Sequence, residues 1–166
     1  FLDVPNGKEG TTRLYYEVNG TGIPILLIHG WLCNSTFWDD FKVLAKTNKY
    51  MVITLDLRGH GESDYASDMT IQTLANDVKF FLDFLKIEKA IIIGHSMGGL
   101  VAQTFYADNP DRVIALGLWD TGAKIPFGYG IGTFFYVFRI VAFILGLILT
   151  YPIGGLFRFV LTQGWK

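Results

Sequence analysis

The 166-residue sequence holds one cysteine, three histidines and no excess of either charge. A single thiol, Cys33, cannot close an internal disulfide, so the fold must stand without cross-links. A Cys-rich zinc site is excluded for the same reason, and nothing in the sequence calls for a metal or an organic cofactor. Fourteen Lys and Arg against fifteen Asp and Glu leave a formal charge of −1, which excludes a nucleic-acid partner held by bulk charge. With 17% charged and 16% aromatic residues the chain is also far from a disordered composition. Internal repeats and low-complexity tracts are absent. The N-terminal Phe1-Leu2-Asp3-Val4-Pro5 has neither the basic nor the apolar region of a secretory leader, so a cytoplasmic protein is expected. Its first residue is not Met, which points to a processed or partial chain.

What is present is apolar: 51% of the residues, in a length that suits one domain with a real core. Charge is distributed unevenly. Residues 1–124 carry 11 basic and 15 acidic groups, whereas 125–166 carry only Arg139, Arg158 and Lys166. A boundary is therefore expected near Lys124–Pro126, dividing a core over 1–124 from an apolar helical segment over 125–166.

Within the first part, apolar runs alternate with amphipathic stretches. Leu14–Val18 reads as a strand closed by Asn19-Gly20-Thr21-Gly22. Ile25–Ile28 is a continuous apolar run, the pattern of a strand covered on both faces, and Met51–Leu55 is of the same buried type; Ala90–Ile93 and Val113–Leu118 are further apolar strands, the last expected as an exposed edge. Between them, Ser35 is placed to cap a helix with Trp38, Phe41, Leu44 and Ala45 on one face. Thr70 is placed to cap another, carrying Ile71, Leu74, Ala75, Val78, Leu82 and Leu85. A third helix starts at Met97 and stops at Asn109-Pro110. Alternation of this kind predicts an α/β fold, a mostly parallel sheet with helices on both faces.

One motif carries chemistry. Gly94-His95-Ser96-Met97-Gly98 fits G-x-S-x-G, directly after one expected strand and directly before one expected helix, the setting of a nucleophile elbow. Gly94 and Gly98 leave room for the sharp bend, and Ser96 is expected at the C-terminal edge of the sheet with its hydroxyl exposed. The Met97 N–H would sit at a helix N-terminus, where donors are unpaired and anions are favoured. A second donor is expected from the loop His29-Gly30-Trp31, with the Trp31 N–H completing an oxyanion hole. The alternative role for Ser96 is an ordinary helix N-cap behind a glycine turn.

Three segments in this order resemble the α/β-hydrolase fold family, in its esterase, C–C hydrolase and haloperoxidase-like branch: Ile28-His29-Gly30-Trp31, Asp56-Leu57-Arg58-Gly59-His60-Gly61-Glu62-Ser63, and Gly94-His95-Ser96-Met97-Gly98-Gly99. The resemblance covers about residues 12–122. It implies Ser96 as nucleophile, Trp31 and Met97 as oxyanion donors, His29 as a residue shaping the oxyanion loop, and substrates with acyl or activated C–C bonds and no metal or organic cofactor; with the greasy segment 125–166 the expected substrate is a small apolar carbonyl compound. Epoxide hydrolases and dehalogenases of the family would carry Asp at position 96.

The same resemblance exposes a gap. Ser needs a base within hydrogen-bond reach, and the family order is Ser, acid, His. His29, His60 and His95 all precede or adjoin Ser96, and each has a structural reading. Asp120 follows the run Val113–Leu118, where some members place the acid, but it also suits a loop or cap. Asp56, beside Arg58, reads as structural. The expectation is a serine hydrolase whose base and acid lie beyond this sequence, so that these residues alone are a poor catalyst. The alternative is a non-catalytic ligand-binding or membrane-associated protein of the same fold.

Ile140 to Phe157 contains no charge, but its longest clean run, Ile140–Leu149, is half the ~20 residues of a membrane span. A lid over a greasy substrate is the expectation for 125–166. Contact of 131–161 with a membrane surface is the alternative, since Arg139, Arg158 and Lys166 suit anionic lipid.

Overall fold

The computed structural model describes residues 1–7, 10–47 and 49–122. The expected apolar segment 125–166, with its lid and membrane-surface readings, lies outside them. The chain begins with an antiparallel hairpin, β1 (Leu2–Pro5) and β2 (Thr11–Leu14). A five-stranded sheet follows, built from β3 (Tyr16–Gly20), β4 (Ile23–Ile28), β5 (Tyr50–Leu55), β6 (Ala90–His95) and β7 (Val113–Trp119). Their order across the sheet is β3-β5-β4-β6-β7, antiparallel only between β3 and β5.

Period-two alternation sorts the side chains of the central strand to the two faces. Leu26 and Ile28 join one buried cluster with Ile53, Leu55 and Ile92, under helix α1 (Ile71–Phe84) and helix α2 (Met97–Asp108). Ile25 and Leu27 join a second with Val52, Trp38 and Ala45, under the segment Ser35–Thr47 on the opposite face. Helical elements thus cover both faces, as the continuous apolar strands require.

Thr70 caps α1 as its sequence position predicts, its hydroxyl accepting the Thr73 N–H at 3.1 Å. Leu74, Ala75, Val78 and Leu82 are buried, together with Phe81, which extends the expected stripe by one position.

Two expectations need correction. Leu14–Val18 is not one strand: Tyr15 separates β2 from β3. The Tyr15 N–H donates to Ser63 Oγ at 2.8 Å, and its carbonyl accepts the Asp56 N–H at 2.9 Å. Both backbone groups are taken by the loop after β5, so the chain leaves one sheet there and enters the other. Ser35 is not a cap either. Its N–H donates to Asp56 Oδ1 at 2.5 Å, while the neighbouring Asn34 side chain accepts from the N–H and hydroxyl of Thr36. The stretch that follows forms successive 3-10 turns rather than an α-helix. Its run of Ser, Thr, Phe, Trp and Asp has low helix propensity.

Candidate active site

The strand order places a site before any side chain is considered. After β4 the chain goes to β5 on one side, then crosses back to β6 on the other. In open α/β sheets, ligands bind beyond the carboxyl ends of strands where the order reverses in this way. Here that position lies between β4 and β6, whose ends are held level by the pairing of Ile28 with Gly94. The residues that emerge next are His29 and Gly30 on one strand, His95 and Ser96 on the other.

Ser96 sits in a conformation that L residues seldom adopt, φ 51° and ψ −116°. Such a backbone costs about 1–3 kcal/mol and persists only where its surroundings enforce it. The end of β7 and the first turn of α2 provide that enforcement. The Ser96 N–H donates to the Trp119 carbonyl at 3.0 Å. Its own carbonyl accepts the Thr121 hydroxyl at 2.7 Å and the Gly99 N–H at 3.0 Å.

The flanking glycines are dictated by contact. A Cβ on Gly94 would lie 2.2 Å from the Gly98 carbonyl oxygen, and one on Gly98 would lie 2.3 Å from that of Ile28. Only bare backbone lets α2 start this close to the sheet. The Ser96 side chain makes no capping bond to α2, so the ordinary N-cap alternative is not what the geometry adopts.

The facing loop approaches closely. A Cβ on Gly30 would meet Ser96 Cβ at 3.1 Å and His95 Nδ1 at 2.9 Å. Neither the Trp31 nor the Met97 N–H has an acceptor among the described residues. Two free main-chain donors therefore flank the loop and the bend that carries Ser96. The Trp31 and Leu32 side chains stand in solvent, 64% and 83% exposed.

His29 fixes the loop. It is fully buried, its Nε2 accepts the Leu57 N–H at 3.0 Å, and its Nδ1, which must then carry the proton, donates to the Gly30 carbonyl at 2.7 Å. Burial pushes its pKa down to about 4, against the pull of the Gly30 carbonyl and Asp56. His60 Nδ1 lies 3.0 Å from the Arg58 carbonyl, and its ring packs 5.2 Å from that of His29. The His95 ring lies against the Gly30 backbone and stacks on Phe37 at 4.5 Å. No histidine hydrogen-bonds the Ser96 hydroxyl among the described residues. Asp120 is exposed at the end of β7 with φ 48°, within electrostatic range of His95 and without a hydrogen-bond partner among the described residues.

Asp56 and Arg58 hold the loop after β5. Asp56 accepts the N–H groups of Ser35 and Glu62. Arg58 is buried and forms a bidentate pair with Asp77 of α1, at 2.7 and 2.5 Å, with further bonds to Asn6 and the Pro5 carbonyl. Asp77 was not among the residues singled out from sequence. Its spacing places it on the helix face with Leu74 and Phe81, and a lone acid on an apolar stripe was the available signal. Phe37, the stacking partner of His95, has no such signal. Among the described residues no group of three or more His, Cys, Asp or Glu is placed to hold a metal ion. No helix among them is long and apolar enough to cross a membrane.

Comparison with known proteins agrees with this geometry. A family profile described as alpha/beta hydrolase fold matches residues 23–131. A soluble epoxide hydrolase of Corynebacterium sp. is 36% identical over 109 residues, 65% of this chain and 38% of that protein. A 3-oxoadipate enol-lactonase of Acinetobacter baylyi is 42% identical over 84 residues, 51% of this chain and 32% of that protein. A thermophilic esterase from Thermogutta terrifontis superposes with a TM-score of 0.69 at 34% identity, covering 75% of this chain and 47% of the esterase. The chain spans about a third of the length of the curated relatives it matches. On sequence, strand order and the bend at Ser96 together, the chain belongs to the alpha/beta hydrolase fold family.

Proposed function

We propose that this chain is the nucleophile-bearing part of a serine hydrolase acting on an ester or a related carbonyl compound. The observation that carries the reading is the strained backbone of Ser96, which frees its hydroxyl from capping duty beside a loop whose Trp31 N–H has no acceptor among the described residues. In this mechanism Ser96 attacks the carbonyl carbon, and the Trp31 and Met97 N–H groups bind the oxygen as it becomes negative. The general base takes the Ser96 proton and gives it to the departing alcohol as the intermediate collapses to an acyl-enzyme, which water then hydrolyses with the help of the same base. Loss of one such donor typically costs about 10²–10³ in rate. The relatives support the chemistry, since an esterase and an enol-lactonase both work on carbonyl–oxygen bonds by name. Ser at position 96 favours these over the epoxide hydrolase as a guide. The exposed Trp31 and Leu32 favour an apolar substrate.

The base is not assigned to His29 or His60, whose ring nitrogens serve the loops, nor to His95, which faces Phe37. We assign the base to polypeptide outside these 166 residues, and the acid either to that polypeptide or to Asp120, in the order serine, acid, histidine. Asp120 is retained as a candidate acid on position alone, at the end of β7.

The second reading is a ligand-binding protein without catalysis, favoured by the missing contact between any histidine and Ser96. A fluorophosphonate probe separates the two in protein expressed from the complete coding sequence. Covalent labelling that maps to Ser96 and disappears in Ser96→Ala is the expected result. An unlabelled wild-type protein that still binds apolar esters would overturn the hydrolase reading in favour of the binding one.

A further inference from the structure

His95 lies beside the nucleophile, yet the mechanism above makes no use of it. Its ring is held between the two ends of a single segment. At one end, a Cβ on Gly30 would lie 2.9 Å from His95 Nδ1 and 3.3 Å from Cε1, so the ring rests against the Gly30 backbone. At the other end, Phe37 stacks on the same ring, 4.5 Å between centroids and 21° between planes. Trp119, the strand partner of His95 on β7, backs both rings at 6.1 and 6.0 Å. Residues 30–37 therefore arch from one contact with His95 to another, and the Trp31 N–H lies within the arch.

The segment has two other anchors, His29 on the Gly30 carbonyl and Asp56 on the Ser35 N–H. Both tie it to the loop after β5. His95 instead ties it to the residue covalently joined to Ser96. The contacts are made by the ring faces and edge: Nδ1 is buried and has no hydrogen-bond partner among the described residues.

We propose that His95 is a positioning residue, a flat buttress between Gly30 and Phe37 that sets the Trp31 N–H at a fixed distance from Ser96. This role rests on the serine-hydrolase reading for its effect on rate, but not for its effect on the loop. The buttress works by ring contact, so an aromatic ring without nitrogen replaces it. It acts on transition-state geometry, so it changes kcat and leaves KM alone.

The test uses protein from the complete coding sequence with four replacements, His95→Ala, His95→Phe, Phe37→Ala and the double Ala variant. Rates of Ser96 labelling and ester turnover are read beside amide exchange of Cys33 and Phe37. The expected result is a loss of about 10²-fold in kcat for either Ala variant, with KM unchanged. The double variant is no worse than His95→Ala alone, because that replacement already removes the stacking contact that Phe37 makes. His95→Phe regains most of the rate, and exchange rises in the Ala variants only. His95→Phe as slow as His95→Ala would overturn the proposal, since the nitrogen would then be what matters. Additive losses, a change confined to KM, or unaltered exchange would overturn it as well. A wild-type protein unlabelled at Ser96 removes the hydrolase reading, and the exchange data alone then decide whether His95 holds the loop.

Discussion

Acidification should unlock the loop beside Ser96 through one buried imidazole. His29 accepts the Leu57 N–H at Nε2 and donates to the Gly30 carbonyl at Nδ1, so only the neutral ring fits both partners. A second proton would turn Nε2 into a donor facing a donor. Burial lowers the folded-state pKa to about 4 from the ordinary 6.5. The unfolded chain therefore takes up the proton first as pH falls. The stability contributed by neutral His29 is complete above the unfolded pKa and is lost as pH drops towards 4. The separation corresponds to about 3 kcal/mol in all. Of this, about 2 kcal/mol disappears between neutral pH and a point half a unit above the folded value. Urea unfolding followed by tryptophan fluorescence over that range measures it, with His29→Gln as reference. The variant starts less stable at neutral pH but lacks this part of the acid dependence, so the two curves converge on acidification. Parallel curves, or an NMR titration of His29 near its ordinary value, would refute the reasoning.

Two further outcomes follow from the same contacts. Ser96→Gly relieves a backbone that only glycine adopts freely, so it should raise stability by about 1 kcal/mol in urea unfolding while abolishing probe labelling; a loss of stability would show that Ser96 is not strained. Arg58→Met leaves the buried Asp77 carboxylate, which burial raises and the guanidinium pulls back, without its partner. A loss of about 3–5 kcal/mol is expected, largely recovered when Asp77→Leu is added, and thermal unfolding of the single and double variants measures both.

Much of the fold was legible because local physics fixes it. Ile25–Ile28 and Ala90–Ile93 are apolar without alternation, and Met51–Leu55 is broken only by Thr54, the pattern of short strands covered on both sides. Thr70 and Asn109-Pro110 mark helix ends through their own side chains and rings. Gly94 and Gly98 announced the bend because no other residue fits between helix and strand there. The failures came where a distant partner decided. Tyr15 breaks its strand because Ser63 and Asp56 claim its backbone groups, and neither is near it in sequence. Ser35 gives its N–H to Asp56, 21 residues away, and the capping passes to Asn34.

The sequence by itself determined the central strands β4 to β7, the helices α1 and α2, and the glycine-flanked turn at Ser96, because spacing and residue size act over a few neighbours. It could not determine strand order, since any of the apolar runs can pair with any other. Only the tertiary structure put β4 beside β6, and with that brought Gly30 within reach of Ser96 and left the Trp31 and Met97 N–H groups without an acceptor among the described residues. It also decided the tautomer of His29, the stacking of Phe37 on His95 and the pairing of Arg58 with Asp77. Those are contacts between residues far apart in the chain, and their energy exists only once the sheet has closed around them.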